Sequence, residues 1–184
     1  VSTKPILLIS GSSPFCETFF DNVKVPKGQL VGEVNKGWDV AKYLLGHERE
    51  MISAMGLGGE KQALGKAVGP IDDPLLRAEI AAFDVDALAF AAMSERFIDQ
   101  LKAGEAHPAM PSMMKYAGTE LNKRRHELIM AAGGSDALEW DSDRTKGGKA
   151  ARDWLRTKAN SIEGGTSEIQ LGIVAKHILR LQGD

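Results

Sequence analysis

The chain has 184 residues, 43% hydrophobic and 26% charged, with a formal net charge of −2. That balance gives no electrostatic pull toward nucleic acid or an anionic membrane surface, and no apolar run reaches the roughly 18 residues of a membrane span. Its one cysteine, Cys16, rules out an internal disulfide framework and suits a reducing compartment.

Residues 5–9 (Pro-Ile-Leu-Leu-Ile) and 18–25 read as two strands around a Gly-Ser-Ser-Pro turn. Two strands alone are marginally stable in water, so these are expected to belong to a larger sheet. The chain opens at Val1 without a leader-like region, which reads as a piece of a longer protein. Pro26-Lys27-Gly28 closes the second strand, and residues 32–37 form a linker.

From Trp38 onward the pattern is helical. At about 100° per residue, Trp38, Val40, Ala41, Leu44, Leu45, Met51, Ile52 and Met55 share one arc, and Glu48 falls in its middle. A carboxylate on such a stripe is a candidate general base, because burial disfavours its charged form; pairing with Arg49 or a lysine is the structural alternative. Asp73-Pro74 marks a second helix start, with Leu76, Ile80, Phe83, Ala87, Phe90, Phe97 and Leu101 at helical spacing up to a Lys-Ala-Gly-Glu stop. A third helix follows Pro111 and reaches Ala132 before Gly133-Gly134, with Lys123-Arg124-Arg125 read as a solvated face. Residues 139–148 are polar and loop-like, and a shorter helix at 150–159 leads to Gly164-Gly165. Thr166 is the candidate N-cap of a last helix, whose apolar stripe is Leu171, Val174, Ile178 and Leu181. Five amphipathic helices with short connections predict a mainly α fold, an antiparallel helix bundle with a short N-terminal β-strand remnant. His47, His107, His126 and His177 form no metal-binding pattern, and Cys16 has no histidine signature beside it, so no metal is expected and the thiol reads as buried or incidental.

Gly165-Thr166-Ser167-Glu168-Ile169-Gln170, followed by the apolar residues 171–181, resembles the C-terminal signature of the acyl-CoA dehydrogenases. A second run resembles the same family: residues 19–26 (Phe-Phe-Asp-Asn-Val-Lys-Val-Pro), then Leu30-Val31-Gly32-Glu33, Asn35-Lys36-Gly37-Trp38 and Glu48-Arg49. The resemblance implies that residues 1–33 end a middle β-domain and residues 34–184 form the C-terminal helical domain. It also implies FAD-dependent α,β-dehydrogenation of an acyl-CoA thioester, with the isolated piece inactive. An electron-transfer flavoprotein-type acceptor, a homo-oligomer (dimer or tetramer) or heteromeric pair, and a cytoplasmic location (mitochondrial matrix in a eukaryote) go with that reading.

Most family members place the catalytic glutamate just before the Gly-Thr/Ser signature, where this chain has Gly164. A minority place it early in the first C-terminal helix before an arginine, where Glu48-Arg49 stands. The resemblance therefore leaves Glu48 first, Glu163 as runner-up, and a chain without its own base as the third possibility. That third case corresponds to a non-catalytic partner subunit or helical interaction module. The family's flavin loop matches Gly165, Thr166, Ser167 and Glu168, and the Gly-Gly element that reaches a neighbouring flavin survives as Gly133-Gly134, with Met130 in place of its glutamine. The family's arginine-x-phenylalanine-glycine motif is missing near residues 62–69.

Overall fold

The computed structural model describes residues 1–57 and 63–181, with backbone alone at residue 46 and residues 49–57. A two-stranded antiparallel hairpin, β1 (Ser2–Ile6) and β2 (Phe15–Phe19), precedes the helices α1 (Gly37–Leu57), α2 (Leu64–Val68), α3 (Pro74–Ala103), α4 (Met110–Gly133), α5 (Lys149–Thr157) and α6 (Ser167–His177).

The strands lie earlier than the sequence predicts, pairing Ser2 with Phe19 and Ile6 with Phe15. Leu8 and Ile9 are drawn into the turn instead. The Leu8 amide donates to Ser12 O (2.8 Å) and the Gly11 amide to Leu8 O (2.9 Å), with Gly11 at φ 79°. Asn22, at φ 50°, turns the chain after β2 where a longer strand was expected. Every strand residue is exposed, and so is Cys16, which makes it an incidental thiol and not a buried one.

The hairpin is tied to the helices through α5. Arg152 donates to Ser10 O (3.2 Å) and Gly147 O (2.7 Å) while its guanidinium stacks 3.9 Å from the Trp140 ring centroid. One turn later, the Arg156 guanidinium lies 5.6 Å from the Phe15 ring centroid. Such stacked cations contribute about 0.5–2 kcal/mol each, depending on how far they are desolvated.

α4 is the hub, with α1, α3, α5 and α6 all packed on it. α3 and α4 run antiparallel, as the core shows: Ile80 and Phe83 near the start of α3 meet Leu128 near the end of α4, with Leu64 of α2. Phe90 and Phe97 further along α3 meet Met114 near the start of α4. Asp84 fixes α2 against this core by accepting the Leu64 amide (2.6 Å) and the Gly65 amide (3.0 Å). These satisfy two of the donors a helix start leaves unpaired. Gln62, beside the missing arginine motif, lies outside the described residues.

α3 begins and ends where the sequence says. Asp73 Oδ1 accepts the Leu75 amide (2.8 Å), Pro74 occupies the first turn, and Gly104 closes the helix at φ 71°. Asp73→Ala is expected to cost about 1 kcal/mol of stability, measured by denaturant titration, because the Leu75 and Leu76 amides lose their side-chain acceptor. At the far end the stripe stops short, since Leu101 is exposed and Phe97 is the last buried position.

Three further expectations are corrected. Along α1, Ala41, Leu45 and Glu48 are half-buried, whereas Trp38, Val40 and Leu44 are exposed, so the inward stripe is narrower than the apolar arc. Met51, Ile52 and Met55 fall among the residues described by backbone alone. The 123–125 charge run is not a solvated face: Arg125 is buried, Lys123 pairs with Glu120 (2.8 Å), and Arg124 pairs with Asp86 while lying 5.8 Å from the Phe83 ring centroid. α6 ends at His177, with Leu171 and Leu181 exposed; its inward stripe is Gln170, Ile173 and Val174, continued by the C-cap residue Ile178. A polar residue leads that stripe because its side chain has a dedicated partner in the preceding loop.

Candidate functional site

The segment between α5 and α6 is built from two consecutive left-handed glycines, Gly164 (φ 67°) and Gly165 (φ 94°). A side chain at Gly165 would be strained by that φ and would overlap Nε2 of Gln170. Gln170 is fully buried and donates from Nε2 to Gly164 O (3.0 Å), leaving its Oε1 buried without a hydrogen-bond partner. From the other side Lys115, fully buried on α4, donates from Nζ to Gly165 O (2.8 Å) and Asn160 O (3.0 Å). Both glycine carbonyls are thus held inward. In a trans peptide the N–H points opposite the carbonyl, so the Gly165 and Thr166 amides face away from Gln170 and Lys115.

Thr166 is the N-cap of α6, its Oγ1 accepting the Ile169 amide (3.3 Å). Beneath the loop, Glu120 accepts the Ser161 and Ser167 hydroxyls (3.2 Å each) and pairs with Lys123. Asn122 Nδ2 donates to Asn160 Oδ1 (2.9 Å). The sequence reading missed Lys115 and Glu120. Both sit on an otherwise mixed helix face, and only the fold brings them under the loop.

Burial lowers the Lys115 pKa from the usual lysine value, against the pull of the nearby Glu163 and Glu120 charges. For Glu120, burial pushes upward, but the Lys123 hydrogen bond and charge, with the Ser167 and Ser161 hydroxyls, outweigh it and bring the carboxyl below its usual range. A carboxyl depressed in the fold contributes stability that is complete above its unfolded value and is lost as pH falls through the folded one. Wild-type melting temperature is therefore expected to fall more steeply than that of Glu120→Gln on acidification below about pH 4.5, followed by circular dichroism. Glu168, exposed at the start of α6, is also held below its usual value, first by its backbone amide and then by the Thr166 hydroxyl.

The two candidate bases differ sharply. Glu163 is committed: Arg156 reaches its Oε2 at 2.8 Å and Oε1 at 3.4 Å, and Asn160 donates to the same Oε1. Glu48 is half-buried on α1, the helix that packs on α4, and its carboxylate makes no hydrogen bond or ion pair with the described residues. Arg49 has no described side chain.

Gly133-Gly134 closes α4 far from the loop. Lys115, Glu120 and Lys123 mark where the loop sits, and Gly133 lies ten residues further along, about 15 Å at 1.5 Å per residue. A Cβ on Gly134 (φ 54°) would meet nothing within 4 Å, so backbone is open there. No cluster of three or more His, Cys, Asp or Glu suited to a metal occurs among the described residues.

The family model described as "Acyl-CoA dehydrogenase, C-terminal domain" matches residues 35–179. The chain belongs to the acyl-CoA dehydrogenase family. Acyl-CoA dehydrogenase FadE34 of Mycobacterium tuberculosis is 30% identical over 183 residues, covering 98% of this chain and 25% of that protein. Acyl-CoA dehydrogenase IpdE1 of Mycolicibacterium smegmatis is 27% identical over 190 residues, covering 98% of this chain and 46% of that one. The chain thus spans a quarter to a half of the length of these relatives. Among solved structures, the Tcur3481-Tcur3483 steroid ACAD superposes with a TM-score of 0.82 at 22% identity, over all of this chain and 49% of that one. The ChsE4-ChsE5 complex from Mycobacterium tuberculosis gives 0.73 at 23%, over all of this chain and 50% of that one. These structural likenesses establish the acyl-CoA dehydrogenase helical fold.

Proposed function

We propose that this chain is the C-terminal part of an FAD-dependent acyl-CoA dehydrogenase. In this reading residues 1–33 end a middle β-domain, residues 34–184 are the helical domain, and a longer protein supplies the rest of the active site. The observation that carries the assignment is the contrast between a half-buried Glu48, bonded by none of the described residues, and a Glu163 locked by Arg156 and Asn160.

Glu48 is the general base that takes the α-proton of the acyl-CoA thioester. FAD, when bound, would supply the redox chemistry as the hydride acceptor. The chain's residues fit that cofactor: the glycine pair brings backbone close, the Gly165 and Thr166 amides face outward, and Gly165 through Glu168 open an eleven-residue helix whose N-terminus favours polar, electron-rich partners. Gly133-Gly134, distant from this loop, serves a second flavin in a neighbouring subunit. The longer protein acts on an acyl-CoA, passes electrons to an electron-transfer flavoprotein-type acceptor, and assembles as a homo-oligomer or heteromeric pair. No helix among the described residues is long and apolar enough to cross a membrane; the location that goes with the family reading is the cytoplasm or, in a eukaryote, the mitochondrial matrix.

The test is acyl-CoA-dependent bleaching of flavin absorbance in the full-length protein. Bleaching by any acyl-CoA, with the isolated 184-residue piece inert, supports the assignment. Gly164, in the place of the family's usual glutamate, favours one alternative: a non-catalytic partner subunit that uses the bundle to pair. Absence of bound flavin, or flavin that no acyl-CoA bleaches until a second subunit is added, selects it.

A further inference from the structure

We propose that Lys115 is a positioning residue for the flavin loop: its buried ammonium holds the Asn160 and Gly165 carbonyls inward and so fixes the outward aim of the Thr166 amide. The inference rests on the functional reading above for what the loop faces, but not for the clamp itself.

An ammonium group is costly to bury unless its donors are used, and Lys115 is fully buried. Two of its three N–H groups have acceptors, at 3.0 Å on Asn160 and 2.8 Å on Gly165, residues 45 and 50 positions away in the chain. Both lie between α5 and α6, Asn160 four residues ahead of the left-handed pair and Gly165 as its second member. Glycines at positive φ have little intrinsic preference for one conformation over another, so Gly164 and Gly165 need outside contacts to hold a single shape. Lys115 supplies one grip and Gln170 the other, each on a different glycine carbonyl. An apolar side chain of similar length would fill the same space without holding either carbonyl. What lysine adds at this position is the geometry of the loop.

The experiment uses the full-length protein, comparing wild type with Lys115→Met, Lys115→Gln and Asp73→Ala. Backbone amide exchange in peptides spanning residues 160–170, measured without cofactor, is expected to quicken on the order of tenfold in Lys115→Met, the usual scale for losing a hydrogen bond to a charged group. Lys115→Gln, which keeps an N–H donor, is expected to lose less and covers the case in which Lys115→Met does not fold. Titration of the flavin-free protein with FAD, read by flavin fluorescence, is expected to show affinity weakened in the same order. Asp73→Ala, which loosens α3 far from the loop, should change neither reading. Unchanged exchange at 160–170 overturns the clamp, and faster exchange with unaltered FAD affinity overturns its role toward the flavin. If the wild-type protein takes up no FAD, the functional reading falls while the exchange measurement still decides the clamp.

Discussion

Glu48→Gln in the full-length protein is expected to slow acyl-CoA-dependent flavin reduction by about two to four orders of magnitude, the span of a lost general base, with flavin still bound. Glutamine keeps the size and hydrogen-bonding capacity of the side chain and removes its ability to accept a proton. Glu163→Gln is expected to change the same rate only a few-fold, because Glu163 is occupied by Arg156 and Asn160 and its loss loosens a loop tether. Stopped-flow bleaching of both variants separates the candidates. A collapse in Glu163→Gln with a normal Glu48→Gln would move the base to the loop and sink the α1 assignment.

Phe83→Ala is expected to cost about 3–5 kcal/mol of stability, at the upper end for a single core truncation. Phe83 is 1% exposed and packs with Leu64, Ile80 and Leu128, so three helices meet at its ring. Its face also receives the Arg124 guanidinium at 5.8 Å from the ring centroid, a contact alanine cannot make. Denaturant unfolding followed by tryptophan fluorescence checks the figure. A loss under about 1.5 kcal/mol would mean that the surrounding helices collapse into the space, which would overturn the picture of a rigid three-helix junction.

Much of the architecture was legible because its signals are local. Asp73-Pro74 and Gly104 bound α3 through cap chemistry that depends on a few neighbouring residues, and Thr166 does the same for α6. The period of Ile80, Phe83, Phe90 and Phe97 found the core face directly. Legibility failed where a specific hydrogen bond or ion pair, rather than the apolar period, decides. The strands are displaced because the Gly11 turn recruits Leu8 and Ile9, and the α6 stripe is rotated because Gln170 is bonded to Gly164. Lys123-Arg124-Arg125 reads as solvent-facing by composition, yet Glu120, Asp86 and the helix packing absorb it. In the candidate site, the glycine loop was visible as a motif, whereas Lys115 carries no signal in a single sequence. Its role exists only because α4 passes beneath a loop some 50 residues further along.

Arg156 stands at a crossing of two parts of the molecule. Its guanidinium faces the Phe15 ring of the hairpin and at the same time forks onto Glu163, next to Gly164. With Arg152 gripping Ser10 one helical turn earlier, the hairpin is mounted at two points on α5, and one of those mounts is also a tether of the glycine loop. Displacing β2 from α5 removes the aromatic ring beside that guanidinium, so Arg156 couples the position of the strands to the tether of the loop.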